Sequence, residues 1–211
     1  MKLELINISK EIKQNIIFQS VNIQMESGHI YGFVGTNGCG KTMLMKIILG
    51  LVKPSEGEIV VDGKKFNRNN NNLYYPGAII EKPEFFNNIT GLKNLLLLSQ
   101  INKRIDSSVC EEYMDKVELG DAKNKKVGKY SLGMKQRLAI AQALMENPDI
   151  IVLDEPSNAL DESGIQMLYE LLKEERQKGK IIIISSHHKE DIAQLADVVY
   201  KFNNKQVKKI D

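Results

Sequence analysis

This 211-residue chain predicts an α/β fold interrupted by an all-helical insertion, and three observations carry that prediction. Short apolar strands alternate with helical patterns toward both ends. The stretch 87–146 shows only helical spacing. A glycine-rich turn at residues 35–42 lies between a strand-like and a helix-like run. The length suits one domain with an insertion, large enough to bury a real core.

Residues 3–8 and 16–24 read as two strands with a polar link, and 30–34 as an apolar strand. Helical spacing follows over 43–49. Residues 58–61 form another strand that enters a turn at Asp62-Gly63. The asparagine-rich run 67–72 reads as a surface loop, after which 78–81 returns to the sheet. Leu92, Leu95, Leu96 and Leu98 mark a first inserted helix. Val109, Tyr113, Met114 and Val117 mark a second, stopped by Gly120. Ser131 caps a third, which carries Leu138, Ile140 and Leu144 and stops near Asn147-Pro148. A strand (150–153), a helix (161–177), a strand (180–185), a short helix (189–196) and a hairpin turning at Asn203-Asn204 complete the chain. The expected division is 1–86 with 147–211 as a core plus a β-subdomain, and 87–146 as the helical unit.

Composition narrows the function classes. The net charge is +2 with 27% charged residues, so neither sign dominates. The basic clusters at 123–126 and 205–209 are short and separate, as in solvated loops, so no nucleic-acid partner is expected. The two cysteines, Cys39 and Cys110, give neither a disulfide framework nor metal-ligand spacing. Cys39, inside the glycine turn, implies a reducing compartment. The first residues alternate like a strand and not like a secretory signal. The longest apolar runs, 95–98 and 181–184, fall far short of the ~18 residues that span a bilayer. A soluble chain is expected, with any membrane span supplied by another polypeptide.

Gly35, Thr36, Asn37, Gly38, Cys39, Gly40, Lys41 and Thr42 fit G-x-x-x-x-G-K-[ST] in the strand–loop–helix setting that a phosphate-binding loop requires. Glycines let successive backbone N–H groups curl around phosphates, and the following helix adds about half a positive charge. Lys41 is placed for the β- and γ-phosphates and the Thr42 hydroxyl for Mg²⁺. A nucleoside triphosphate is the implied ligand. The apolar strand 150–153 delivers Asp154 and Glu155 at its carboxyl end, where ligands of open α/β sheets bind. Asp154 is the second candidate for Mg²⁺, and Glu155 the candidate base toward an attacking water. His187, after the next apolar strand, is a candidate for the γ-phosphate or that water. Its neighbour His188 reads as a bystander.

Together these residues resemble the nucleotide-binding subunit of an ABC transporter. Residues 35–42 match its Walker A motif, 150–154 its Walker B, Glu155 its catalytic glutamate, 157–161 its D-loop and His187 its switch histidine. Tyr130-Ser131-Leu132-Gly133-Met134-Lys135-Gln136 is similar to the family's signature motif. The resemblance implies a P-loop NTPase of RecA-like core, with an N-terminal antiparallel β-subdomain and an inserted α-helical signature subdomain. It implies an ATPase using ATP and Mg²⁺, catalytic residues Lys41, Glu155 and His187, and a second ATP-binding subunit contributing Ser131 and Gly133 across a dimer. It also implies a separate transmembrane permease subunit, and so a place at the cytoplasmic face of the membrane.

The chain departs from the family pattern at several positions. The signature has Leu132 and Met134 in place of a glycine and a glutamine, a variant similar to the bacitracin-export and lantibiotic-immunity branch. Glu81 stands where a metal-contacting glutamine is expected. Ile12 replaces the adenine-stacking aromatic, which leaves base selectivity weak. Phe85-Phe86 falls where family members meet the membrane subunit. The alternative reading is a soluble ABC-type ATPase acting on ribosomes or nucleic acid. Its relatives usually fuse two such domains through a charged linker, or split them by a long coiled coil, and this chain has neither. A small-molecule phosphate-loop kinase leaves 131–137 and the Asp154-Glu155 pair unexplained.

Overall fold

The computed structural model describes residues 1–66 and 73–210, so the asparagine-rich run 67–72 lies outside the described residues. In chain order the elements are β1 (Lys2–Ile12), β2 (Asn15–Glu26), β3 (His29–Val34), α1 (Lys41–Ile48), β4 (Glu56–Val61), β5 (Lys64–Lys65) and β6 (Pro76–Ile79). They continue with α2 (Gly91–Asn102), α3 (Ser107–Lys116), α4 (Leu132–Leu144), β7 (Ile150–Asp154), α5 (Glu162–Gln177), β8 (Ile181–Ser185), α6 (Lys189–Leu195), β9 (Val198–Asn203) and β10 (Gln206–Ile210).

Two sheets form the frame among the described residues. One is antiparallel, in the order β2-β1-β4-β5. The other runs β10-β9-β3-β8-β7-β6 and is parallel except for the β9–β10 hairpin. The parallel strands β7 and β8 are buried on both faces, which is why they read as unbroken apolar runs. Ile150, Val152, Ile181 and Ile183 point into a core shared with α1 and the antiparallel sheet. Ile151, Leu153, Ile182 and Ile184 point into the core built with α3, α4 and α5. Each such side chain contributes about 1.5–3 kcal/mol by leaving water. The sheet is therefore held rigidly, and its carboxyl edge is a fixed platform.

Several boundaries differ from the sequence reading. The polar link between β1 and β2 shrinks to Lys13 and Gln14, both left-handed (φ 46° and 64°). Positive φ at both central residues is what a tight hairpin needs. The strand ends there are exposed and paired through backbone, so burial leaves no alternation to read. β6 stops at Ile79, and Glu81 takes φ 63° outside the strand. α3 ends at Lys116, before Gly120; Glu118 adopts the left-handed position instead, with Arg137 bonded to its carboxylate. The last hairpin turns at Asn204-Lys205, one residue later than expected.

Candidate functional site

The carboxyl ends of β3, β7 and β8 bring the predicted residues together. Gly35, Gly38 and Gly40 have φ of 154°, 76° and 107°. At Gly40 a Cβ would sit 2.9 Å from the side chains of both Ile17 and Phe18, so only glycine lets β2 back the loop this closely. Thr36, Asn37 and Cys39 complete the turn, closed by the Cys39 N–H donating to the Thr36 carbonyl at 3.2 Å. Lys41 is 6% exposed and curls back over the loop, its Nζ donating to the Gly35 carbonyl at 2.8 Å and to that of Thr36 at 3.4 Å. An ammonium held by two neutral carbonyls has capacity for a stronger, anionic acceptor.

Thr42, the second residue of α1, donates its hydroxyl to Asp154 Oδ2 at 2.5 Å. Ser185, ending β8, donates to the other oxygen of the same carboxylate. A hydroxyl and a carboxylate already in contact form a hard oxygen donor set of the kind Mg²⁺ takes. Glu81, the third metal candidate, is not joined to them: its carboxylate pairs with Lys46 of α1 at 2.5 Å.

Glu155 sits just past β7 with φ 52°, an uncommon backbone for a glutamate. Its N–H is tied to the Ser185 carbonyl (3.2 Å) and hydroxyl (3.1 Å). The His187 N–H donates to Glu155 Oε2 at 3.0 Å, and His187 Nε2 lies 3.0 Å from Oε1. That second contact is not aligned as a hydrogen bond, and among the described residues Oε1 has no hydrogen-bond partner. A shielded carboxylate oxygen with a free lone pair, beside an imidazole, is what a proton acceptor needs.

The Ser131 turn is presented differently. Ser131 caps α4 by accepting the Met134 N–H at 3.1 Å. A Cβ on Gly133 would lie 2.8 Å from the Ala159 carbonyl, so glycine seats this helix against the loop that follows Glu155. Two residues beyond the candidate list fix that seating. Gln136 donates to the Pro156 carbonyl at 2.8 Å. Buried Arg137 reaches Asp161 at 2.9 Å as well as Glu118. Their fixed offset from Ser131 was the available signal. Asp161, capping α5, is held below the usual carboxylate range by the Gly164 N–H and by Arg137. A buried carboxylate beneath the site, Asp191, left no motif in the sequence reading.

Of the remaining candidates, Ile12 is exposed at the tip of the β1–β2 hairpin. Phe85 packs against the core while Phe86 is 65% exposed. Buried Asn94 holds Phe86 in place, accepting its N–H at 2.9 Å and donating to its carbonyl at 3.2 Å.

Fold and site together define a phosphate-loop nucleotide-binding domain. The ABC transporter family profile matches residues 18–158, and the chain belongs to that family. It is similar to the ABC transporter ATP-binding protein YybJ of Bacillus subtilis (strain 168), 40% identical over 96% of this chain and 93% of that one. It is also 40% identical, over 92% of its length, to the bacitracin transport ATP-binding protein BcrA of Enterococcus faecalis, of which it spans 63%. A third relative, the lantibiotic transport ATP-binding protein SrtF of Streptococcus pyogenes, is 36% identical over 93% of this chain and 85% of that one. Among solved structures, the ATP-binding cassette MJ0796, as a dimer in a post-hydrolysis state with ADP and Pi, superposes with TM-score 0.84 over 99% of both chains at 25% identity. The chain is thus an ATP-binding and hydrolysing subunit of the ABC transporter type, and not of the ribosome-acting kind. No described helix is long and apolar enough to cross a membrane.

Proposed function

We propose that two such subunits clamp two ATP molecules, each held between the phosphate loop of one chain and the Ser131 turn of the other. Closure of this dimer would drive an exporter through a separate membrane-spanning subunit. One observation supports the composite site above all: the Ser131 turn faces outward, with Leu132 beside it 70% exposed. Its own chain leaves this helix start to solvent.

Within a half-site, Lys41 exchanges its loop carbonyls for the β- and γ-phosphate oxygens, while the backbone of 35–40 cradles them. Thr42 and Asp154 are the residues that would hold Mg²⁺, which when bound neutralises charge between the two phosphates. Glu81 joins them only by leaving Lys46. Glu155 takes the proton of the attacking water on its free oxygen Oε1, and the His187 N–H orients the carboxylate by holding Oε2. Residues 87–146 act as the helical unit that carries Ser131. Phe86 is the contact toward the membrane subunit, which places the assembly at the cytoplasmic face. The cargo class, a peptide antibiotic or similar amphipathic compound, is suggested by the Leu132 and Met134 variant and by what BcrA and SrtF are named for.

The test mixes two inactive chains, one carrying Lys41→Ala and the other Ser131→Arg. Mixed dimers retain one intact site, so the mixture should recover about a quarter of parental ATPase activity. An inert mixture, with both variants folded and binding as expected, rejects the composite site.

A further inference from the structure

We infer that Asp191 is a positioning residue that locks the Glu155 and His187 segments into one unit, an inference that rests on the roles just proposed for that pair. Asp191 lies in α6 and is 5% exposed. Its carboxylate gathers three hydroxyl donors from three different parts of the chain. Ser157, two residues after Glu155, donates to Oδ2 at 2.6 Å. Ser186, immediately before His187, donates to the same oxygen at 2.6 Å. Tyr169, from α5, donates to Oδ1 at 2.5 Å.

The two serines are 29 residues apart in sequence yet meet on one oxygen atom, and each belongs to a segment that bears one of the reacting groups. The upper tie between these segments is the Glu155 N–H to Ser185 and the His187 N–H to Glu155. Asp191 supplies a second tie beneath it. Two ties at different depths stop the segments from rocking about a single hinge. The need is physical, because Glu155 is held at φ 52°, and such a backbone persists only where its surroundings over-determine it. Ser186 carries the order one residue further, its hydroxyl accepting the His188 N–H at 3.0 Å.

The charge of the carboxylate strengthens the tie. Burial alone would push Asp191 up, but the hydroxyls of Ser157, Ser186 and Tyr169, with His188 nearby, outweigh it and hold the carboxyl below its usual value. An ionised acceptor makes each hydroxyl bond shorter and stronger than a neutral one does. Both serines meet on Oδ2, so asparagine can keep its one acceptor oxygen there, whereas alanine takes the acceptor from all three hydroxyls.

The experiment uses the full chain and reads kcat, KM for ATP with magnesium, and thermal midpoint. Asp191→Ala and the double variant Ser157→Ala/Ser186→Ala should each lower kcat by about 10- to 30-fold with KM changed less than about twofold, the pattern of a lost transition-state arrangement. Tyr169→Phe removes a hydrogen bond from the same carboxylate but none from either segment. It should lower the thermal midpoint while costing less than about threefold in kcat. In a Glu155→Gln background the double serine variant should cost less than about twofold more, since it acts through the group already removed. Unchanged kcat in the double serine variant, an equal loss in Tyr169→Phe, or a full multiplicative loss in the Glu155→Gln background overturns the clamp alone. A parental rate from Glu155→Gln itself overturns the base assignment and the clamp with it.

Discussion

Two helices in this chain begin with an N-terminus suited to phosphate, and they are built to opposite plans. The start of α1 is furnished from within: three left-handed glycine positions, the folded-back Lys41, and Thr42 bonded to Asp154 across the sheet. The start of α4 has only its own cap, with Leu132 standing in solvent. The rest of its effort goes into seating, through Gly133, Gln136 and Arg137 on the loop after Glu155. Under the proposed composite site, the contrast separates the half that is a binding pocket from the half that is a lever. A pocket must be complete before its ligand arrives. A lever must be rigidly attached to what it moves and left free at its tip.

The largest way to break this comparison is at the chemistry that the proposal has both ends serve. Glu155→Gln should lower kcat by ~10²–10⁴, the usual worth of a general base, while ATP binding in a filter or fluorescence titration stays within a few-fold. Next comes the pocket itself. Lys41→Ala should weaken ATP binding by ~10–100-fold, the worth of a charge-assisted hydrogen bond, in a single chain with no partner required. The lever behaves otherwise: Ser131→Ala should leave single-chain ATP affinity within about twofold. It should lower steady-state hydrolysis by about tenfold and thermal stability by ~1 kcal/mol for the lost cap. A loss of single-chain affinity in that variant would erase the distinction between the two helices.

Smaller effects sharpen the picture at its margins. Phe86→Ala should keep ATPase activity of the isolated chain within about twofold, yet reduce co-purification with the membrane subunit from detergent extracts. Glu81→Gln breaks an exposed ion pair with Lys46 and should shift stability by no more than ~0.5 kcal/mol in a melting experiment.

How far the sequence could be read follows the same division. The pocket was legible because its residues are contiguous: glycines, Lys41 and Thr42 lie within eight positions, in a setting that leaves few other uses. Asp154 and Glu155 were legible because a doubly buried strand must end somewhere, and two carboxylates mark the end. The Ser131 cap was legible as a helix start. What escaped was contact at long range. Asp191 meets Ser157 and Ser186 only because α6 folds under two loops, and a lone aspartate among serines has no period or spacing to betray it. Gln136 and Arg137 looked like part of a motif, but their partners, the Pro156 carbonyl and Asp161, lie 20 and 24 positions on. Glu81 was read by position alone. Its pairing with Lys46 depends on how α1 passes the end of β6, which no local pattern encodes.

The most direct measurement of the central claim is the mass of Glu155→Gln protein in saturating ATP and magnesium, by sedimentation or light scattering. The account predicts a two-chain species holding two ATP molecules, which falls apart when Ser131→Arg is added to the same chain. A species that stays monomeric, even with the membrane subunit supplied, or a dimer indifferent to Ser131, contradicts it.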